Sequence, residues 1–209
     1  MKQLLRRLLP AAIVRRLREL RMVSWPARGA YLRLQARRAL GGEARDRRPL
    51  APLAGTRRIV FVCHGNIIRS PMGEAMLRGL VDQSARAIVI ESAGTHAIPG
   101  RRADDRARAL AARFGVSLER HTARLLTDQI ARDAELIFVM DRLNESEVVA
   151  RFPFAAPKVR MLGAFALADG ERDCAIPDPF LEDEAAVGRC YERLKKAVEG
   201  VARELDGKK

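Results

Sequence analysis

The chain has 209 residues, 48% of them apolar, which suits one globular domain of ordinary size plus additional sequence. Its formal charge is +13, but residues 1–58 hold 16 Lys+Arg against 3 acidic residues, so the whole excess lies there and 59–209 is balanced. A basic stretch confined to one end excludes reading the folded part as a nucleic-acid binder, and no apolar run reaches the roughly 18 residues of a membrane-crossing helix.

At the N-terminus, Leu4, Leu5, Leu8, Leu9, Ala12, Ile13, Leu17 and Leu20 recur at helical spacing, with Arg6, Arg7, Arg15, Arg16, Arg18 and Arg21 between them. Pro10 kinks or splits this pattern, and the uninterrupted apolar core of a secretory signal is missing. Tyr31 to Leu40 repeats the basic amphipathic character. Residues 1–40 are expected to lie on an anionic membrane surface, each cation near it worth about 1 kcal/mol. A disordered tail and an organelle-targeting peptide are the alternatives. Residues 41–57, rich in Gly, Pro, Ala and Arg, read as a linker. The expected division is a basic amphipathic extension and linker over 1–56 and a folded domain over 57–209.

Within that domain, apolar runs at 59–62, 87–90, 136–140 and 158–162 alternate with helical patterns at 71–83, 102–114, 126–133, 142–151 and 183–205. Such alternation predicts an α/β fold: a parallel sheet with helices on both faces and ligands at the carboxyl ends of its strands. Cys63 stands at one such end. After it comes a short loop with Gly65 and Asn66, the residue types that best tolerate left-handed backbone, and then Arg69. Ser70 suits a helix N-cap and Pro71 the first helical position. A loop of this kind turns backbone N–H groups inward as an anion nest at a helix N-terminus. That positive end favours a thiolate, and an arginine fork holds two phosphoryl oxygens. Cys-x5-Arg spacing alone is a weak signal in so arginine-rich a chain. The strand, loop and helix around it make it a phosphate-ester hydrolysis site.

The segment VCHGNIIRSPMGEA resembles the phosphate-binding loop of the low-molecular-weight protein tyrosine phosphatases. ESAGT (91–95), HTARLL (121–126), MDRLN (140–144) and IPDPF (176–180) resemble further family segments, in order, from about residue 57 to about 205. The resemblance implies a four-stranded parallel sheet (phosphotyrosine protein phosphatase I-like) and a protein tyrosine phosphatase acting through a cysteinyl-phosphate. Cys63 is the expected nucleophile and Arg69 the clamp, with His64, Gly65, Asn66, Ile67, Ile68 and Ser70 in the phosphate-binding loop. Ser70 is placed to steady the Cys63 sulfur, and Asp178 matches the family's aspartic general acid. Ser92 and His121 match residues that hold the loop asparagine in its strained conformation.

Ile68 stands where many members carry a second loop cysteine. Cys174 and Cys190 lie far along the chain, so protection of Cys63 by a neighbouring loop thiol is not expected. Ile98 takes the place of a pocket tryptophan, and Phe180 keeps one aromatic wall for a phenolic ring. This apolar pocket resembles bacterial members that act on tyrosine kinases, so a phosphotyrosine-containing protein, such as a kinase, is the expected partner. Three cysteines without metal-ligand spacing predict neither metal nor cofactor, and a reducing, cytoplasmic compartment peripheral to the membrane. The alternatives are an arsenate reductase on the same fold, which the lack of a cysteine between 63 and 174 and the retained DP segment restrict to a form using an external thiol, and a catalytically inactive phosphoprotein-binding module.

Overall fold

A computed structural model of the chain describes residues 24–37, 53, 55–81, 87–166 and 173–207. The Leu4–Leu20 pattern, residues 38–40 and the linker from 41 to 52 lie outside them. Helix α1 spans Trp25–Arg37. Strands β1 (Arg58–Cys63), β2 (Val89–Gly94), β3 (Leu136–Val139) and β4 (Val159–Met161) form one parallel sheet in the order β2-β1-β3-β4. Between and after them run α2 (Arg69–Val81), α3 (Asp105–Ala111), α4 (Asp128–Asp133), α5 (Arg142–Arg151) and α6 (Glu184–Leu205). No helix among the described residues is long and apolar enough to cross a membrane.

Strand alternation divides the core into two. Ile59, Phe61 and Cys63 of β1 face one apolar cluster with residues of α2, α3 and α6, while Val60 and Val62 face the other, with Ala131 of α4 and Val148 of α5. Helix α6 covers the first face because Val187, Tyr191, Leu194, Val198, Val201 and Leu205 recur every three or four residues and are buried. From β1 the chain first pairs to one side with β2, then crosses back to pair on the other with β3. The carboxyl end of β1 is therefore the switch point of the sheet, and Cys63 is its last residue.

Parts of the N-terminal extension pack on the domain. The helix in the second basic stretch begins at Trp25, ahead of Tyr31, and its Ala27 and Tyr31 are buried against Leu143 and Ala150 of α5, while Trp25 and Leu32 stay exposed. The linker, too, is not wholly solvent-borne, since Leu53 is buried in the larger apolar cluster. Local periodicity identifies an apolar stripe but not what covers it, and here the domain itself does.

Candidate active site

The loop from His64 to Ile68 is held by its own carbonyls. Thr95 N–H donates to Cys63 O (2.9 Å), His96 N–H to His64 O (2.8 Å) and Asp104 N–H to Ile67 O (3.0 Å). His121 Nε2 lies 2.7 Å from Asn66 O, and because a carbonyl only accepts, this nitrogen carries the proton. With these carbonyls turned outward, the loop N–H groups are left for an anion. Gly94 lets the loop come this close: a Cβ there would meet His64 O at 2.7 Å and Asn66 N at 2.9 Å.

Asn66, with φ of 54°, is the one non-glycine residue at positive φ among the described residues, and it is fully buried. Its Nδ2 donates to Ser70 Oγ and Ser92 Oγ (both 2.9 Å), and its Oδ1 accepts from Arg124 N–H (2.8 Å). Ser70 was expected as an N-cap. Its hydroxyl instead lies inside the helix start at 3.0 Å from Cys63 Sγ and 3.3 Å from Ala93 O, while Asn66 N–H points to the same sulfur at 3.2 Å. These hydrogen bonds predict that Asn66→Ala destabilises the domain by about 2–4 kcal/mol in urea unfolding, since it adds left-handed strain and strips three bonds from buried groups. Asn66→Gly is expected to recover the strain but not the bonds.

Arg69 is fully buried, with Nη1 on Asp141 and on Ile176 O (3.1 Å), and Nη2 on Asp178. Burial acts to lower its pKa, but Asp141, Asp178 and Cys63 raise it above arginine's ordinary value, so the guanidinium is always charged. Asp178 sits on a stretch without regular structure between the flanking prolines 177 and 179, and its other oxygen accepts from Phe180 N–H at 3.2 Å. Phe180 and Ile98 are both exposed, and the two loops meet through Arg101, whose N–H donates to Ile98 O and whose guanidinium lies 5.8 Å from the Phe180 ring centre.

The structure thus brings together Cys63, the 64–68 loop, Arg69, Ser70, Ser92, His121 and Asp178. It adds residues not identified from sequence. Asp141, directly after β3, contacts Arg69 and caps α5 by accepting Asn144 N–H at 2.8 Å. Its place at a strand's carboxyl end, in the quoted MDRLN segment, was the available signal. His96 stacks on His64 (centroids 4.5 Å, 17°), and burial first, then His96, lowers the His64 pKa and keeps it neutral at pH 7. Cys190, remote in sequence, lies in the apolar cluster of Cys63 and within its electrostatic reach. Burial pushes its thiol up to about 12, against the pull of Arg69, so it stays protonated. All three cysteines are buried and none is in a disulfide, and no metal-binding group of His, Cys, Asp and Glu exists among the described residues.

Comparison with known proteins gives this geometry its context. The model of the family described as low molecular weight phosphotyrosine protein phosphatase matches residues 58–209. The chain is 39% identical over 150 residues to the low molecular weight protein-tyrosine-phosphatase Etp of Escherichia coli K12, covering 70% of this chain and 93% of that one. Among solved structures, the tyrosine phosphatase Wzb from Escherichia coli K30 in complex with sulphate superposes with a TM-score of 0.65 at 30% identity, over 72% of this chain and 99% of that one. The YwlE arginine phosphatase from Geobacillus stearothermophilus superposes with a TM-score of 0.64 at 27% identity, over 72% and 94%.

Proposed function

The chain belongs to the low-molecular-weight phosphotyrosine protein phosphatase family, a family of phosphoric monoester hydrolases, and from that premise we propose how its own residues divide the work. The observation that carries the reading is the loop, with its carbonyls spent outward and Cys63 Sγ met by Asn66 N–H and Ser70 Oγ, beside a buried, permanently charged Arg69. The domain takes residues 57–209, in line with the family match from 58, and residues 1–56 are an extension to it.

Cys63 Sγ attacks phosphorus as the bond to the tyrosyl oxygen breaks, and Asp178 gives that oxygen its proton. Arg69 and the loop N–H groups hold the equatorial oxygens through the transition state. For this the phosphoryl group takes over the Arg69 edge that Asp178 occupies, which turns Asp178 toward the leaving oxygen. Water then attacks the cysteinyl-phosphate, Asp178 accepts its proton, and the sulfur departs beside the Ser70 hydroxyl. Asn66, Ser92 and His121 keep the loop in shape, while Phe180 and Ile98 flank the phenolic ring. No metal or cofactor enters.

The test is hydrolysis of a chromogenic aryl phosphate, a phosphotyrosyl peptide and a phosphoarginyl peptide, with arsenate reduction assayed in parallel. The first two are expected to turn over and the others not. Arsenate reduction with added thiol, in the absence of hydrolysis, would replace this reading by the reductase. Absence of both would leave a binding module. The phosphoprotein substrate is proposed to be a tyrosine kinase, on the resemblance of the Ile98 pocket.

The extension is proposed to hold the enzyme at an anionic membrane surface. Supporting this are the +13 charge of residues 1–58 and the outer side of α1, where Trp25, Leu32 and Arg33 are exposed. Full-length protein is expected to float with vesicles of anionic phospholipid. Exchanging Arg6, Arg7, Arg15 and Arg16 for glutamine is expected to abolish flotation, and binding unchanged by that exchange would refute the idea.

A further inference from the structure

We propose that α1 is a positioning element of the active site, with Ser24 and Glu147 as the residues through which it acts. The proposal rests on the assignment of Cys63 and Arg69 to catalysis.

Glu147 lies in the middle of α5 and is 2% exposed. Its two carboxylate oxygens accept from Ser24: Oε1 from the backbone N–H, and Oε2 from the hydroxyl at 2.8 Å. Ser24 is also the residue whose carbonyl accepts the first bonds of α1, from Ala27 N–H (3.0 Å) and Arg28 N–H (3.2 Å). A buried carboxylate from one helix therefore sits at the positive N-terminus of another, where the dipole and the orphan N–H favour it. Without Ser24 those contacts are lost, and a buried carboxylate short of partners moves toward water and takes its helix with it.

Helix α5 is fastened to the site at both ends. Asp141 caps it and contacts Arg69, while at its last residue the Arg151 guanidinium donates to Thr95 O. Thr95 in turn donates to Cys63 O. A shift of α5 that relieves Glu147 is thus felt by both the clamp and the strand that carries the nucleophile. The coupling path consists of helix α5, the side-chain contacts of Glu147, Asp141 and Arg151, and the backbone bond from Thr95 to Cys63. The family match starts at residue 58, so α1 lies outside the part of the chain that the family model covers.

The test uses the full-length protein, with Tyr31→Asp to drive a charge into the buried α1–α5 contact and Ala36→Asp, at an exposed position of the same helix, as control. Trp25 is the chain's one tryptophan, so its fluorescence anisotropy reports whether α1 tumbles with the domain. The expected result for Tyr31→Asp is a fall in anisotropy and a fall in kcat for aryl phosphate by about 5- to 10-fold, measured well below its Tm. By reciprocity, saturating inorganic phosphate is expected to raise that anisotropy part of the way back. Ala36→Asp is expected to leave all three readings unchanged. Should Tyr31→Asp fail to fold, Ser24→Ala removes one donor without disturbing packing and is expected to lower kcat about 2-fold at unchanged KM. A released α1 with wild-type kcat and no response to phosphate would overturn the proposal, as would wild-type anisotropy in Tyr31→Asp. If the wild type itself does not hydrolyse, the catalytic assignment fails, and the phosphate response still decides the coupling.

Discussion

Cys63→Ser is expected to abolish turnover, with a loss beyond about 10⁴-fold in kcat, while inorganic phosphate continues to bind. The sulfur's hydrogen-bonding neighbours are Asn66 N–H, a donor, and the Ser70 hydroxyl, which already accepts from Asn66 Nδ2. Nothing there removes a proton from an alcohol, so the substituted hydroxyl has no base to make it a nucleophile at neutral pH. The anion cradle does not depend on sulfur. It is set by Thr95, His96, Asp104 and His121 on the loop carbonyls and by Asp141 on Arg69, and all of these survive the substitution. Calorimetric titration with inorganic phosphate against a dead hydrolysis assay separates the two. Residual turnover within 100-fold of wild type would mean that another group attacks phosphorus.

Asp178→Ala is expected to lower kcat by about 10²–10⁴-fold on a phosphotyrosyl peptide, the range for a lost general acid. The loss shrinks on an aryl phosphate with a more acidic phenol, because such a leaving group departs without a proton. That dependence on the leaving group distinguishes Asp178 from Asp141, the other carboxylate on Arg69. Asp141 holds the far edge of the guanidinium and caps α5, so its loss is expected to cost the same factor for every leaving group. The measurement is kcat for wild type and both variants across a series of aryl phosphates. An Asp178→Ala deficit that stays constant over the series would move the proton-donor role elsewhere.

Much of the site was legible because its chemistry is local. The β-branched run at 59–62, the Gly65–Asn66 turn and the Ser-Pro helix start place Cys63 and Arg69 on one continuous strand-loop-helix, and the structure reproduces that frame at Arg58–Val81. Apolar runs alternating with helical patterns sufficed for a parallel sheet, since a strand covered on both faces is a short continuous apolar run and a helix repeats every 3.6 residues. Asp178, Ser92 and His121 were reachable through resemblance alone: without it Asp178 is a plain Asp-Pro turn, Ser92 one residue of strand β2 and His121 a surface histidine. The N-cap reading of Ser70 missed because capping is a local preference, whereas its hydroxyl is claimed by Cys63 and Asn66 across the loop.

Other features arise from contacts between distant residues, which no local pattern encodes. Asp141 meets Arg69 across 72 positions of chain because β1 and β3 are sheet neighbours, and Glu147 meets Ser24 across 123. The same packing turns the Tyr31 side of a basic amphipathic stretch inward and brings Cys190, 127 positions from the nucleophile, into its apolar cluster. Composition and periodicity determined that this chain is an α/β domain with a charged arm, and the strand-loop-helix around Cys63 pointed to its chemistry. Only the tertiary structure decided that part of the arm packs on the domain, because burial of an apolar stripe and pairing of a buried carboxylate depend on which distant surface is complementary.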